Sequence, residues 1–151
     1  MTLRSNSSLV AGLGWDELSE HSWGELIKAG FPSELVSLGC DLARRTGRPL
    51  RVFTMPIARV GIAGLAIPFV DDDGIVFDQI LLEDPDELSG LVSHELAHIL
   101  YPGWREIGPD RLDHMEKFAS FLAPALLRRL PTNVYEVQPM VDVAMDSIRA
   151  A

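Results

Sequence analysis

The stretch "LVSHELAHIL", residues 91 to 100, places His94, Glu95 and His98 inside an otherwise apolar run. Residues four apart lie on one face of a helix, so both imidazoles can direct a ring nitrogen at one point, and Glu95 can reach a water bound there. Such a site holds Zn²⁺ on three protein ligands and keeps a fourth position for water, whose pKa zinc lowers to about 7. The spacing therefore predicts a catalytic zinc site, with His94 and His98 as ligands and Glu95 as the general base.

A helix over about 85–101 must carry this motif. Asp84 can cap its first turn, Pro85 suits the first helical position, and Pro102 with Gly103 ends it. We therefore expect the two histidines to lie on one face of a well-delimited helix.

The third ligand should come from a following helix over about 110–130. Its apolar residues form one stripe: Leu112, Met115, Ala119, Leu122 and Leu126. Glu116 lies beside this stripe and would face the motif helix if the two helices pack together. We predict Glu116 as the third ligand, with His114 and Asp113 as competing donors.

The remaining elements predict an α+β domain. Residues 50–83 are rich in β-branched side chains and indicate a small, mostly antiparallel sheet, with a hairpin over 50–70 and a third strand after the acidic turn "DDDG" (71–74). That turn lacks the spacing of a calcium loop and is expected to be solvated. Before the sheet, the N-terminal segment 1–48 is predicted to be helical, with helices over 15–27 and 32–47, and residues 132–151 form a tail with at most a further helical turn or two.

Composition limits the class of protein. With 151 residues, the chain is long enough for one domain with its own core. Its net charge of −9 argues against direct nucleic-acid binding, and its single cysteine, Cys40, excludes both an intrachain disulfide and a thiolate zinc cluster. We find no membrane span and no uninterrupted apolar segment typical of a secretory signal, so we expect a cytoplasmic protein.

The segments "HELAH" and "EKFASFLAPALL" resemble the ImmA/IrrE-type zinc metallopeptidases, over about residues 50–131. In that family a Glu is followed by a small residue, an aromatic–Ala pair and two leucines. The resemblance implies a zincin-like catalytic core (49–131) with Glu116 as the third zinc ligand. An alternative register, with Phe118-Ala119 as the aromatic pair and Pro124 as the family's proline, moves the ligand position toward His114.

The same resemblance implies a function. Members of the family commonly act with helix-turn-helix repressors, so a zinc-dependent endopeptidase that cleaves such a protein partner is the leading hypothesis. An acidic protein is compatible with a basic, DNA-binding partner. Two alternatives stay open: a catalytically inactive regulatory protein of the same fold that binds and sequesters its partner, and a helical interaction module in which the motif is accidental and holds no metal.

Overall fold

The computed structural model describes residues 15–58 and 61–150, and this part of the chain has the predicted α+β class. The strands are β1 Ser19–His21, β2 Leu50–Thr54, β3 Gly64–Pro68 and β4 Asp73–Phe77, and the α-helices are α1 Trp23–Lys28, α2 Ser33–Thr46, α3 Pro85–Leu100, α4 Leu112–Arg129 and α5 Val134–Ala150. None of the helices in these two ranges has the length and apolar character needed to cross a bilayer.

The four strands form one mixed sheet in the order β1-β2-β4-β3. β2 and β4 are parallel, with Val52 opposite Ile75, whereas β1 pairs with β2 and β3 pairs with β4 in antiparallel fashion. The predicted hairpin over 50–70 is therefore wrong, because β4 lies between β2 and β3. All five residues of β4 are buried, which suits the centre of a sheet, and Pro68 ends the less buried β3 at its edge, where a missing N–H is tolerated.

The N-terminal segment is predicted to be helical, but this prediction is wrong for its first described residues. Over 15–27 the chain instead forms a 3-10 turn, Trp15–Glu17, then β1, and α1 starts only at Trp23. Ser22 sets this start, because its hydroxyl accepts the N–H of Glu25 while the Glu25 side chain accepts the N–H of Ser22. The predicted second helix is confirmed as α2, which ends at Gly47 in the left-handed conformation. Residues 1–14 of this segment lie outside the described residues.

The predicted third strand is shorter than expected. β4 stops at Phe77, and residues Gln79–Glu83 form a 3-10 turn. The Asp78 carboxylate accepts the backbone N–H groups of Ile80 and Ala58, at 3.0 and 2.7 Å, so it favours a turn over a continued strand.

Two hydrophobic clusters fill the two faces of the sheet. On one face, Val52, Ile75 and Phe77 pack with the helices, and α3 lies between the sheet and α4. On the other face, a smaller cluster that includes Phe53 and Val76 is covered by the side chains of Trp15 and Leu18, among others. The motif helix is thus held from two sides by burial of apolar surface, the dominant favourable contribution to folding.

The predicted C-terminal tail is instead a seventeen-residue helix, α5, packed against α4. Asp41 of α2 anchors its first turn, since this buried carboxylate accepts the N–H of Val134 at 2.8 Å. That hydrogen bond is the main cause of a lowered pKa for Asp41, and Arg45 adds to it. A carboxylate at a helix N-terminus also interacts favourably with the helix dipole.

The prediction that the acidic turn at 71–74 is solvated is wrong for Asp72 and Asp73. Asp72 and Asp73 are 7% and 5% exposed. The Asp73 carboxylate pairs with Arg48, at 3.3 Å, and with Arg105, which comes from the loop after α3. This buried cluster ties the start of β4 to the segment that follows the motif helix.

We expect Asp73→Ala to lower the free energy of unfolding by about 3 kcal/mol, because the substitution removes the carboxylate that pairs with two largely buried guanidinium groups. Urea unfolding followed by circular dichroism measures this loss. The exposed neighbour is the control: Asp71→Ala should change the free energy of unfolding by less than about 0.5 kcal/mol. A loss of unfolding free energy no larger for Asp73→Ala than for Asp71→Ala would show that the Asp73 ion pairs contribute no stability.

Candidate metal centre

The predicted motif helix is confirmed as α3. Pro85 occupies its first turn, and the Asp84 carboxylate accepts the N–H of Glu87 at 3.3 Å. One face of the helix then carries His94, half-buried, and the buried Glu95 and His98. One ligand atom from each of these three residues lies within 4.8 Å of the others.

Glu116 of α4 completes the cluster. Its Oε1 lies 2.7 Å from Nε2 of His94, and its Oε2 lies 2.9 Å from Nε2 of His98. The two Nε2 atoms are 3.2 Å apart. Three side chains from two helices therefore direct their ligand atoms at one small volume.

The donor set suits Zn²⁺. Two imidazole nitrogens and a carboxylate oxygen are the ligands of one familiar class of catalytic zinc site. Ligands about 2.0–2.1 Å from a tetrahedral zinc lie about 3.3 Å from one another, so the separation between the histidine nitrogens needs little adjustment. Glu95 is a further oxygen donor nearby, but Glu116 is the carboxylate in contact with both imidazoles.

The competing donors lie elsewhere. The Asp113 carboxylate is 84% exposed and pairs with Lys117 at 3.2 Å. His114 lies against Tyr101, whose hydroxyl is 2.7 Å from Nδ1 of the imidazole. Of the three donors considered on α4, Glu116 alone contacts the histidines among the residues the structure describes.

Burial controls the protonation of the two buried groups. It lowers the pKa of His98, an effect that the Glu116 carboxylate opposes and His94 reinforces, so the neutral imidazole that binds metal is favoured. Burial, together with the negative charge of Glu116, raises the pKa of Glu95 to about 8. In the metal-free protein Glu95 is therefore mostly protonated at pH 7, and the positive charge of a bound Zn²⁺ would favour its carboxylate form.

The cluster lies in a cavity of about 360 Å³. Its walls come from β3, α3, α4 and the loop between the two helices: Gly64, Leu65, Ala66, His94, Glu95, His98, Trp104, Leu112, Met115 and Glu116. Gly64 allows β3 to pass close to α3, because a Cβ there would come within 2.7 Å of the Leu91 side chain. An edge strand, the cluster and a largely apolar wall therefore share one cavity.

The positions of the β3 residues and of Tyr101 around the cluster were not predicted from the sequence. No local pattern assigns "GLAIP" to the cavity, since its place depends on non-local pairing with β4. Trp104, from the loop after α3, also lines this cavity. Tyr101 follows His98 by three residues, about one helical turn, and this spacing is the sequence signal that places it near the cluster.

Comparisons of the chain with protein-family models, curated proteins and solved structures found no match.

Proposed function

We propose that the protein is a cytoplasmic, zinc-dependent endopeptidase of the ImmA/IrrE type, with a zincin-like core. His94, His98 and Glu116 would hold the zinc, and Glu95 would be the general base. The observation that carries the proposal is the approach of both Glu116 oxygens to the two imidazole nitrogens, at 2.7 and 2.9 Å, in a cavity that also contains Glu95.

The chemistry of the cavity supports hydrolysis. A bound Zn²⁺ would supply Lewis acidity toward a substrate carbonyl and toward water. An oxygen of Glu95 accepts a proton from water as the water oxygen attacks the carbonyl carbon. Glu95 then donates that proton to the amine nitrogen as the C–N bond breaks. The positive charge of a bound Zn²⁺ would oppose the raised pKa of Glu95 and favour the carboxylate that the first transfer needs. A purely structural metal site has no need of this carboxylate.

The open edge of the sheet supports a peptide substrate. β3 pairs with β4 on one side, and no other strand in 15–58 or 61–150 pairs with its outer side. An extended peptide can add to such an edge through main-chain hydrogen bonds. Because Gly64, Leu65 and Ala66 line the cavity, a peptide bound there would pass beside the cluster.

The walls of the cavity favour an apolar side chain next to the cleaved bond. Leu65, Trp104, Leu112 and Met115 line it, and its charged or ionisable side chains are those of the cluster. A cationic or anionic substrate side chain would therefore find no dedicated partner there. For the whole substrate, a basic partner such as a helix-turn-helix repressor fits the net charge of −9, which disfavours direct contact with nucleic acid.

Digestion of a proteome-derived peptide library, read out by mass spectrometry, tests this function on many candidate sequences at once. The full-length protein, loaded with one equivalent of zinc, should produce new termini that cluster at bonds next to apolar residues. Chelation of the metal should stop cleavage, and added zinc should restore it. A zinc-loaded protein that leaves the library and candidate repressors intact would overturn the peptidase proposal in favour of a regulatory protein that sequesters its partner.

A further inference from the structure

A hydrogen-bond network centred on the buried Tyr101 links the two helices that carry the cluster. Tyr101, the first residue after α3, is 1% exposed. Its hydroxyl accepts a hydrogen bond from Nη2 of Arg111 at 2.7 Å, and lies 2.7 Å from Nδ1 of His114, to which it can donate. The phenol ring also contacts Phe118 edge-on, with centroids 5.2 Å apart.

This network joins the end of one ligand-bearing helix to the start of the other. Tyr101 follows His98 by three residues, about one helical turn. His114 and Phe118 lie on the side of α4 that Tyr101 contacts, and Arg111 is the residue immediately before that helix. Tyr101 therefore links the start of α4 to the end of the helix that carries the histidines.

The start of α4 is fixed less firmly than its middle, where Phe118 and Ala119 are fully buried. The side chain of Arg111, the residue before the helix, makes no capping hydrogen bond, and Leu112 in the first turn is 51% exposed. Glu116 itself is 57% exposed, so burial does little to hold its carboxylate against the imidazoles. Its position must therefore come from the placement of the helix backbone.

We propose that Tyr101, acting through His114, is a positioning residue that holds Glu116 against His94 and His98. The hydroxyl of Tyr101 sets the distance and rotation between α3 and α4, and through these the reach of Glu116 toward His94 and His98. The importance of this role for hydrolysis rests on the proposed function, whereas the positioning itself is a property of the folded chain without metal.

Zinc affinity, measured by competition with a chromophoric chelator, tests the proposal. Tyr101→Phe keeps the ring but removes the hydroxyl, and we expect zinc to bind about tenfold more weakly, the lower end of what loss of an outer-shell partner costs. The same substitution in a Glu116→Ala background should change affinity by less than about twofold, because the residue through which Tyr101 acts is then absent. His114→Ala should weaken binding as Tyr101→Phe does.

The matched control is the other tyrosine. Tyr135 is 84% exposed on α5, and Tyr135→Phe should leave zinc affinity unchanged. A Tyr101→Phe protein that loses thermal stability but binds zinc as wild type does would overturn the proposal. An equal loss of affinity with and without Glu116 would overturn it as well, because Tyr101 would then act by another route.

A second readout needs no metal. Long-range ¹H–¹⁵N spectra of the metal-free protein report the environment of the imidazole nitrogens of His94 and His98, and Glu116→Ala defines the spectrum without the carboxylate contact. Tyr101→Phe should move both Nε2 signals part of the way toward that limit. Unchanged signals would overturn the positioning role, even if the wild type bound no zinc and the peptidase proposal fell for that reason.

Discussion

Zinc-loaded Glu95→Gln protein is expected to cleave its peptides at least about a hundredfold more slowly than wild type, since general-base catalysis contributes about 10²–10⁴ in rate. Glutamine has nearly the shape of glutamate, so it should fit the buried site, 6% exposed, without disturbing α3. It cannot accept the proton that water loses during attack. The loss should therefore appear in the chemical step, with the metal still bound.

The measurement is the initial rate on a peptide that the wild type cleaves in the library digest, beside the zinc content of each protein. Glu87→Gln is the matched control, because Glu87 is an exposed glutamate in the first turn of the same helix. It should retain the wild-type rate. A Glu95→Gln variant as fast as wild type, with full zinc, would remove Glu95 from the mechanism.

Loss of Glu116, the proposed third ligand, should have the largest effect on zinc binding. Glu116→Ala is expected to weaken zinc binding more than about a hundredfold, because even partners that only orient a ligand cost about 10–100-fold. The contacts of 2.7 and 2.9 Å with the two imidazoles are lost together in this variant. Its fold should survive, since the side chain is largely exposed.

Metal content by mass spectrometry and chelator competition, on wild type beside the three α4 variants, measures this effect. Asp113→Ala should bind zinc as wild type does, and His114→Ala should show only the smaller loss expected from the Tyr101 network. Full zinc binding by Glu116→Ala, with loss in Asp113→Ala or His114→Ala, would move the third-ligand role to that residue.

Local signals were sufficient to predict the helices that carry the site. Asp84, Pro85 and the four-residue spacing of the histidines specify α3 within a few residues, and the apolar stripe of α4 places Glu116 on the face toward it. These signals are reliable because helical periodicity and capping depend on neighbours in sequence. Glu116 then reaches both histidines once α3 and α4 pack together.

Strand pairing and buried charge could not be predicted in the same way. The parallel pairing of β2 with β4 depends on contacts between distant segments, whereas proximity in sequence favoured a hairpin. The turn at 71–74 looks solvated because its partners, Arg48 and Arg105, are far away in the sequence. β1 is three polar residues long and has no strand pattern of its own, so only its pairing with β2 defines it.

The open edge of β3 also has a consequence for how the protein behaves at high concentration. An edge with no partner strand in 15–58 or 61–150, where the proposed substrate strand would bind, can equally accept the same edge of a second copy, the first step of aggregation. The opposite edge, β1, is short and polar, but β3 is apolar. Its protection lies in its length of five residues and in Pro68, which cannot donate to an intermolecular ladder. Solubility and substrate access thus make opposing demands on the same five residues.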